Sequence, residues 1–239
     1  MKTNPLFGLL LLAGLLFAQT ANTQDIRTLY RNAMSNAVYP DSSKIDNKLV
    51  PITAKNPDLI WKTFKGEPHV LMVTWKSVSY YPDGGDSLYN TGPYSIWVTA
   101  APQLKSWFQK QQVTDTNLRL KQLLGLPPAG TNYTCFVEFW VKPSDMFRPC
   151  PDKEINDRSC STCFPDDASK EYISWFNESR ISRYYACKLY DQYPWTQLGY
   201  TYDWNPQNKT HVGMSEFVIN KNAVVYVKRV STTREYLAR

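Results

Sequence analysis

Five cysteines, Cys135, Cys150, Cys160, Cys163 and Cys187, are the first residues whose spacing bears on chemistry. Cys160 and Cys163 are separated by two residues, the spacing shared by zinc ligands, redox dithiols and haem attachment. Haem attachment needs a His directly after the second cysteine, and Phe164 stands there. A zinc site wants four ligands; Cys150 would make a third, and no His lies nearby. A redox dithiol opens a helix after a strand, where the helix N-terminus lowers the thiol pKa; this pair lies instead in a segment dense in Pro and Asp. Disulfide formation is the chemistry expected of it. Cys135 shares a strand face with Val137, Phe139 and Val141 and is expected to stay unpaired as a small hydrophobe. Cys150, Cys160, Cys163 and Cys187 are then expected to form two bridges, pinning the loop to the helix that ends near Cys187. No metal and no cofactor is expected.

Carboxylates form the second group. Glu138 and Glu216 each interrupt an apolar strand, where an unpaired charge is costly. If those strands are neighbours, the two acids share a cleft and divide acid and base roles, as in glycosidases; otherwise each points to solvent or pairs with Lys or Arg. Arg148 and His211 are the candidates to assist. The chain has only two histidines, His69 and His211, so any hydrolase built on a Ser or Cys nucleophile with a His base must use one of them. No nucleophile elbow, phosphate-cradling loop or dinucleotide fingerprint is present. Asp152-x-Glu154-x-Asn156 begins like a calcium loop, but that loop needs Gly sixth and Glu twelfth, where Asp157 and Cys163 stand. Candidate binding residues are Asp145 and Asp152 in the Cys-rich loop, and Tyr193 and Trp195 in an aromatic stretch. From Tyr172 to Trp204 there are 11 aromatic residues, well above the 14% of the whole chain. Leu198, Tyr200, Tyr202 and Trp204 alternate as a strand with one buried face, whereas Trp195 lies in a loop and is expected to be exposed to a ligand.

The elements that must position these residues are readable in part. A weak helical pattern covers 25–38 and a connector broken by Pro51 and Pro57 follows. Strands are predicted at 70–78, 94–100 and 134–141, with a Tyr81-Pro82-Asp83-Gly84-Gly85 turn after the first. Pro102 opens one helix, and Asp115 caps a second that stops at Gly125. A further helix is predicted over 169–189, then a three-strand meander at 198–204, 212–219 and 223–230. Strands and helices mix without regular alternation, which predicts a single α+β domain with a mostly antiparallel sheet, flanking helices and a Cys/Pro/Asp-rich loop at 143–167.

Met1 and Lys2, the apolar run from Leu6 to Phe17 and the small residues up to Ala21 follow the order of a secretion signal. The expected organisation is a signal peptide at 1–21, an N-terminal helix and connector at 22–58, and the α+β domain at 59–239. The apolar run is too short to span a bilayer, which takes about 20 residues, so no membrane span is expected after signal cleavage. The net charge of +6 is mild and scattered, unlike the concentrated basic stripe of nucleic-acid binders, and no nucleic-acid partner is expected.

Three stretches, FVEFWVKPSDMFRPCPDKEI from Phe136, YPWTQLGYTYDW from Tyr193 and GMSEFVI from Gly213, with LRLKQLLGLPP before them, resemble an uncharacterised group of bacterial exported proteins across residues 118–227. That resemblance implies a periplasmic or extracellular setting and carries no activity, cofactor or ligand. The functional expectation is an exported, non-catalytic binding protein for a small ligand, glycan or envelope partner, with a secreted hydrolase using the strand carboxylates as the alternative.

Overall fold

The computed structural model describes residues 26–77 and 80–238; the expected signal segment lies outside them. The fold is α+β, built on an eight-stranded sheet whose pairings are all antiparallel. Its strands are β1 (Trp61–Phe64), β2 (Glu67–Lys76), β3 (Gly84–Asn90), β4 (Ile96–Ala100), β5 (Cys135–Val141), β6 (Met146–Phe147), β9 (Phe217–Ile219) and β10 (Val224–Thr232). The order is β3-β10-β5-β2-β4-β9-β6, with β1 also on β2. A separate two-stranded sheet joins β7 (Tyr200–Tyr202) to β8 (Val212–Ser215).

Successive strand residues face opposite sides, and here both sides are buried, so the central strands read as continuous apolar runs. Val70, Met72, Val137, Phe139, Val225 and Val227 pack on one face, closed over by Ile52 and Leu59. Leu71, Val73, Trp75, Phe136 and Trp140 pack on the other, under α2 (Ala101–Gln109), α3 (Thr116–Leu123) and α5 (Thr233–Leu237). The α3 boundary follows its expected cap: Asp115 Oδ1 accepts the Leu118 N–H at 3.0 Å. The long helix α4 (Lys170–Tyr184) is capped by Ser169, whose Oγ accepts the Tyr172 N–H at 3.2 Å. Residues 26–37 form α1, which docks Tyr30, Ala33, Met34 and Ala37 onto Tyr202 and Trp204.

The expected C-terminal meander is replaced by another arrangement. Its second strand breaks at Glu216 into β8 and β9, which belong to different sheets, and β10 crosses to lie between β3 and β5. Edge strand β3 begins inside the expected Tyr81–Gly85 turn and has no fully buried residue, so it carries no apolar alternation to mark it as a strand. Its first glycine is needed there: β10 bulges between Val227 and Arg229, and a Cβ at Gly84 would lie 2.8 Å from the Lys228 carbonyl oxygen.

Only one of the two expected disulfides is present. Cys150 and Cys160 are bridged, with Cα atoms 6.2 Å apart, whereas Cys135, Cys163 and Cys187 are free. Helix α4 explains the missing partner. Phe164 packs on Tyr172 and Phe176 in the first turns of α4, which holds Cys163 near that end, and Cys187 follows the other end. Fifteen helical residues span about 22 Å, far beyond the ~7 Å that a disulfide can bridge.

Candidate functional site

A cleft of about 360 Å³ opens where the large sheet, the ends of α3 and α4 and the small sheet meet. Its volume falls within the range of small-molecule sites, about 300–1,000 Å³. One wall is the sheet face carrying Val73, Trp75, Trp97 and Phe136; Leu104 of α2 and Leu124 to Leu126 after α3 adjoin it. Opposite lie Arg183, the Tyr193-Pro194-Trp195 loop, Thr201, Tyr202 and Glu216.

Each polar group arrives there for a local reason. Tyr172, Phe176 and Arg183 share a helical stripe at spacings of four and seven, and the first two are buried. That stripe therefore carries the Arg183 guanidinium into the cleft, in the last turn of α4, where a cation also suits the helix dipole. Glu216 sits at the corner where the chain leaves one sheet for the other, its N–H donated to Gly199 O at 2.9 Å. Trp195 is held by a bridge between its backbone and Thr201, and Tyr184 Oη donates to its carbonyl oxygen.

Three of these groups lack a partner. The Arg183 guanidinium makes no hydrogen bond or ion pair with any described residue; its contacts are with ring faces, 4.3 Å from the Trp97 centroid and 5.7 Å from Tyr193. Glu216 Oε2 and Trp195 Nε1 are sealed from solvent and unbonded. Burial pushes the Glu216 carboxyl up to about 7, against the opposing pull of Arg183. Burial also draws down the Arg183 guanidinium and the Lys76 ammonium.

Of the residues singled out in the sequence, Glu216, Tyr193 and Trp195 come together in this cleft. Trp195 is a correction in one respect: it is only 4% exposed, wedged among Trp97, Trp175 and Phe176, and forms wall rather than surface. Glu138 is elsewhere. Strands β2 and β4 separate β5 from β9, about 14 Å at ~4.8 Å per step, so the condition for a shared carboxylate pair is not met. Lys228 Nζ binds Glu138 at 3.1 Å instead.

The remaining candidates are structural in this geometry. Arg148 is fully buried and donates to the carbonyl oxygens of Glu154, Val50, Ile155 and Asp157, stapling the Cys-rich loop to the connector. Burial lowers its pKa to about 10. Asp152 Oδ1 accepts the Ser161 N–H at 2.8 Å. Asp145 closes a 3-10 turn and its carbonyl accepts from Asn220 N at 2.8 Å. His211 stacks on Tyr202 with ring centroids 4.8 Å apart and sits outside the cleft lining. Among the described residues, one group has metal-like spacing, Cys150, Asp152 and Cys160. Two of its ligand atoms are the bridged sulfurs, which have no thiolate to offer.

Sequence reading missed Arg183, Trp97 and Lys76. Arg183 had a signal, its place on the apolar stripe of α4; Trp97 and Lys76 read as ordinary strand residues. Comparison with protein-family models, with curated proteins and with solved structures returned no match, so the cleft is interpreted from its own chemistry.

Proposed function

We propose that this chain is an exported, non-catalytic binding protein that takes a small ligand into the cleft between its two sheets. The observation that carries this reading is the convergence of Arg183, Glu216 Oε2 and Trp195 Nε1, all without protein partners, in one apolar cleft. Buried polar groups almost always find hydrogen bonds, so Glu216 Oε2 and Trp195 Nε1, both buried and unpaired beside the unpaired Arg183 guanidinium, mark where another molecule belongs. Export is supported by the signal-like N-terminus and by the resemblance to exported bacterial proteins. Among a small ligand, a glycan and an envelope partner, the cleft's volume favours the first.

Thermal unfolding of the purified chain against a small-molecule panel tests this. A ligand at a hundredfold over its Kd should add about 2.7 kcal/mol of stability. Ser95→Trp, which places a large ring at the cleft lining, should abolish that gain; stabilisation that survives in the variant would place binding elsewhere.

The hydrolase alternative retains one supporting observation, a cleft carboxyl poised near neutral pH, which is where acid–base catalysts work best. With Glu138 committed to Lys228, Glu216 would have to act without a second carboxylate. Any turnover found should vanish in Glu216→Gln with stability retained, and turnover that persists rules this reading out.

A further inference from the structure

The cleft's walls and charge narrow the class of ligand, an inference that rests on the binding reading above. Flat sugar-stacking surfaces are scarce. Arg183 covers one face of Trp97, Trp97 stacks on Trp175 at 6.2 Å, and Trp175 stacks on Tyr172 at 5.6 Å. Trp75 likewise stacks with both Tyr133 and Phe136, at 4.9 and 5.8 Å. These rings spend their faces on one another, and much of the remaining wall is aliphatic, from Val73, Val98, Leu104, Leu124 and Leu126. Of the Thr and Ser hydroxyls that also line it, at Thr74, Ser95, Thr99 and Thr201, those of Thr99 and Thr201 are already bonded to Gln103 and Leu123.

Such walls match an apolar body better than a polyol, whose hydroxyls would each need a partner. The charged groups point to the head. Two cations, Lys76 and Arg183, line the cleft against a single acid, Glu216. Arg183 forms no salt bridge with any described residue, although a guanidinium presents a planar fork that matches a carboxylate bidentately. Glu216 in its neutral form adds an O–H donor rather than a competing anion.

We propose that the ligand is a small apolar carboxylic acid, its carboxylate seated on Arg183 and its apolar body held between the sheet face and the leucines of α2 and the α3 end. The acid is aliphatic or aromatic; both share the chemistry that the cleft recognises.

The experiment titrates the full chain with octanoate and with indole-3-acetate, then with the amide of each and with glucuronate, following tryptophan fluorescence because Trp75, Trp97 and Trp195 line the cleft. At least one apolar acid should bind saturably, with its amide and glucuronate each weaker by about tenfold to a hundredfold, the range expected for charge-assisted hydrogen bonds and buried methylenes. Whichever of the two acids binds more tightly identifies the source. Arg183→Met should weaken that acid by a similar factor and leave its amide within about threefold, and Arg183→Lys should fall between. The comparison of acid with amide on the unaltered protein holds even if Arg183→Met misfolds. An amide that binds as well as its acid overturns the role of Arg183 and leaves the small-ligand reading standing. Glucuronate binding as tightly as the apolar acids overturns the apolar body. Saturable binding by none of the probes overturns the proposal, and the panel of the preceding section then decides the broader reading.

Discussion

Glu216 and Arg183 line the same cleft without forming an ion pair. Each attracts the other there, yet burial outweighs that attraction and leaves the carboxyl at about 7. That balance between burial and attraction governs how the molecule should respond to pH.

Glu216 makes stability depend on pH in a defined direction. Its carboxyl moves from an ordinary 4.5 to about 7 on folding, so between those values the native state holds a proton that the unfolded state has released. Stability therefore falls as pH rises through that window and levels off above it. At about 1.4 kcal/mol per pKa unit the loss is at most about 3.5 kcal/mol, and solvent screening of the partly exposed side chain reduces it. Glu216→Gln should raise the urea midpoint at about pH 8 and leave it nearly unchanged at about pH 5. Equal midpoints at the higher pH would show that the carboxyl is not destabilised by burial.

Thiol counting separates one bridge from two. Denatured, unreduced protein should titrate three thiols, Cys135, Cys163 and Cys187. In the native state Cys163 and Cys187 should react fast and half-buried Cys135 slowly. A count of one would restore the second bridge. Reducing Cys150–Cys160, ten residues apart, should cost about 2 to 3 kcal/mol in chemical unfolding.

Arg148 is predicted to matter for folding and not for binding. Arg148→Met strips donors from three loop carbonyls and the connector carbonyl of Val50 at once and should cost about 3 kcal/mol or more. Limited proteolysis should then open the 149–167 loop. If unfolding and proteolysis both stay at the wild-type level, the staple is dispensable.

Gly199 is fixed by two constraints together. Its φ is +74°, and a Cβ would stand 2.6 Å from both Arg148 Cδ and Cys160 Sγ. Gly199→Ala should destabilise by about 2 kcal/mol or more through strain and overpacking; a neutral effect on the thermal midpoint would mean that the loop yields easily.

Local signals were legible where neighbours in sequence settle the outcome. Asp115 caps its helix as its type predicts, and the helix expected from 169 opens at Ser169; the apolar runs around Met72 and Phe139 became central strands. The signals failed where distant chain decides. Nothing near Val212 to Ile219 says that the strand must break at Glu216, because that break is made by two sheets competing for its halves. The carboxylate pair failed for the same reason: both acids were correctly singled out as costly in apolar strands, but strand order is non-local and separated them. Trp195 was found by its loop setting and misjudged in exposure, since α4, which buries it, lies elsewhere in sequence.

Helix α1 has a bearing on the cleft although it never enters it. Tyr202 forms part of the cleft wall, and its hydroxyl accepts from Asn36 Nδ2 at 2.9 Å while Tyr30 to Ala37 pack behind it. Gln197, two residues beyond Trp195, donates to the carbonyl oxygen of Val38 at 3.2 Å. The side of the cleft that carries Trp195 and Tyr202 is therefore braced from outside by residues 26–38, as a buttress braces a thin wall. Loosening that brace would soften the cleft without altering one residue that lines it.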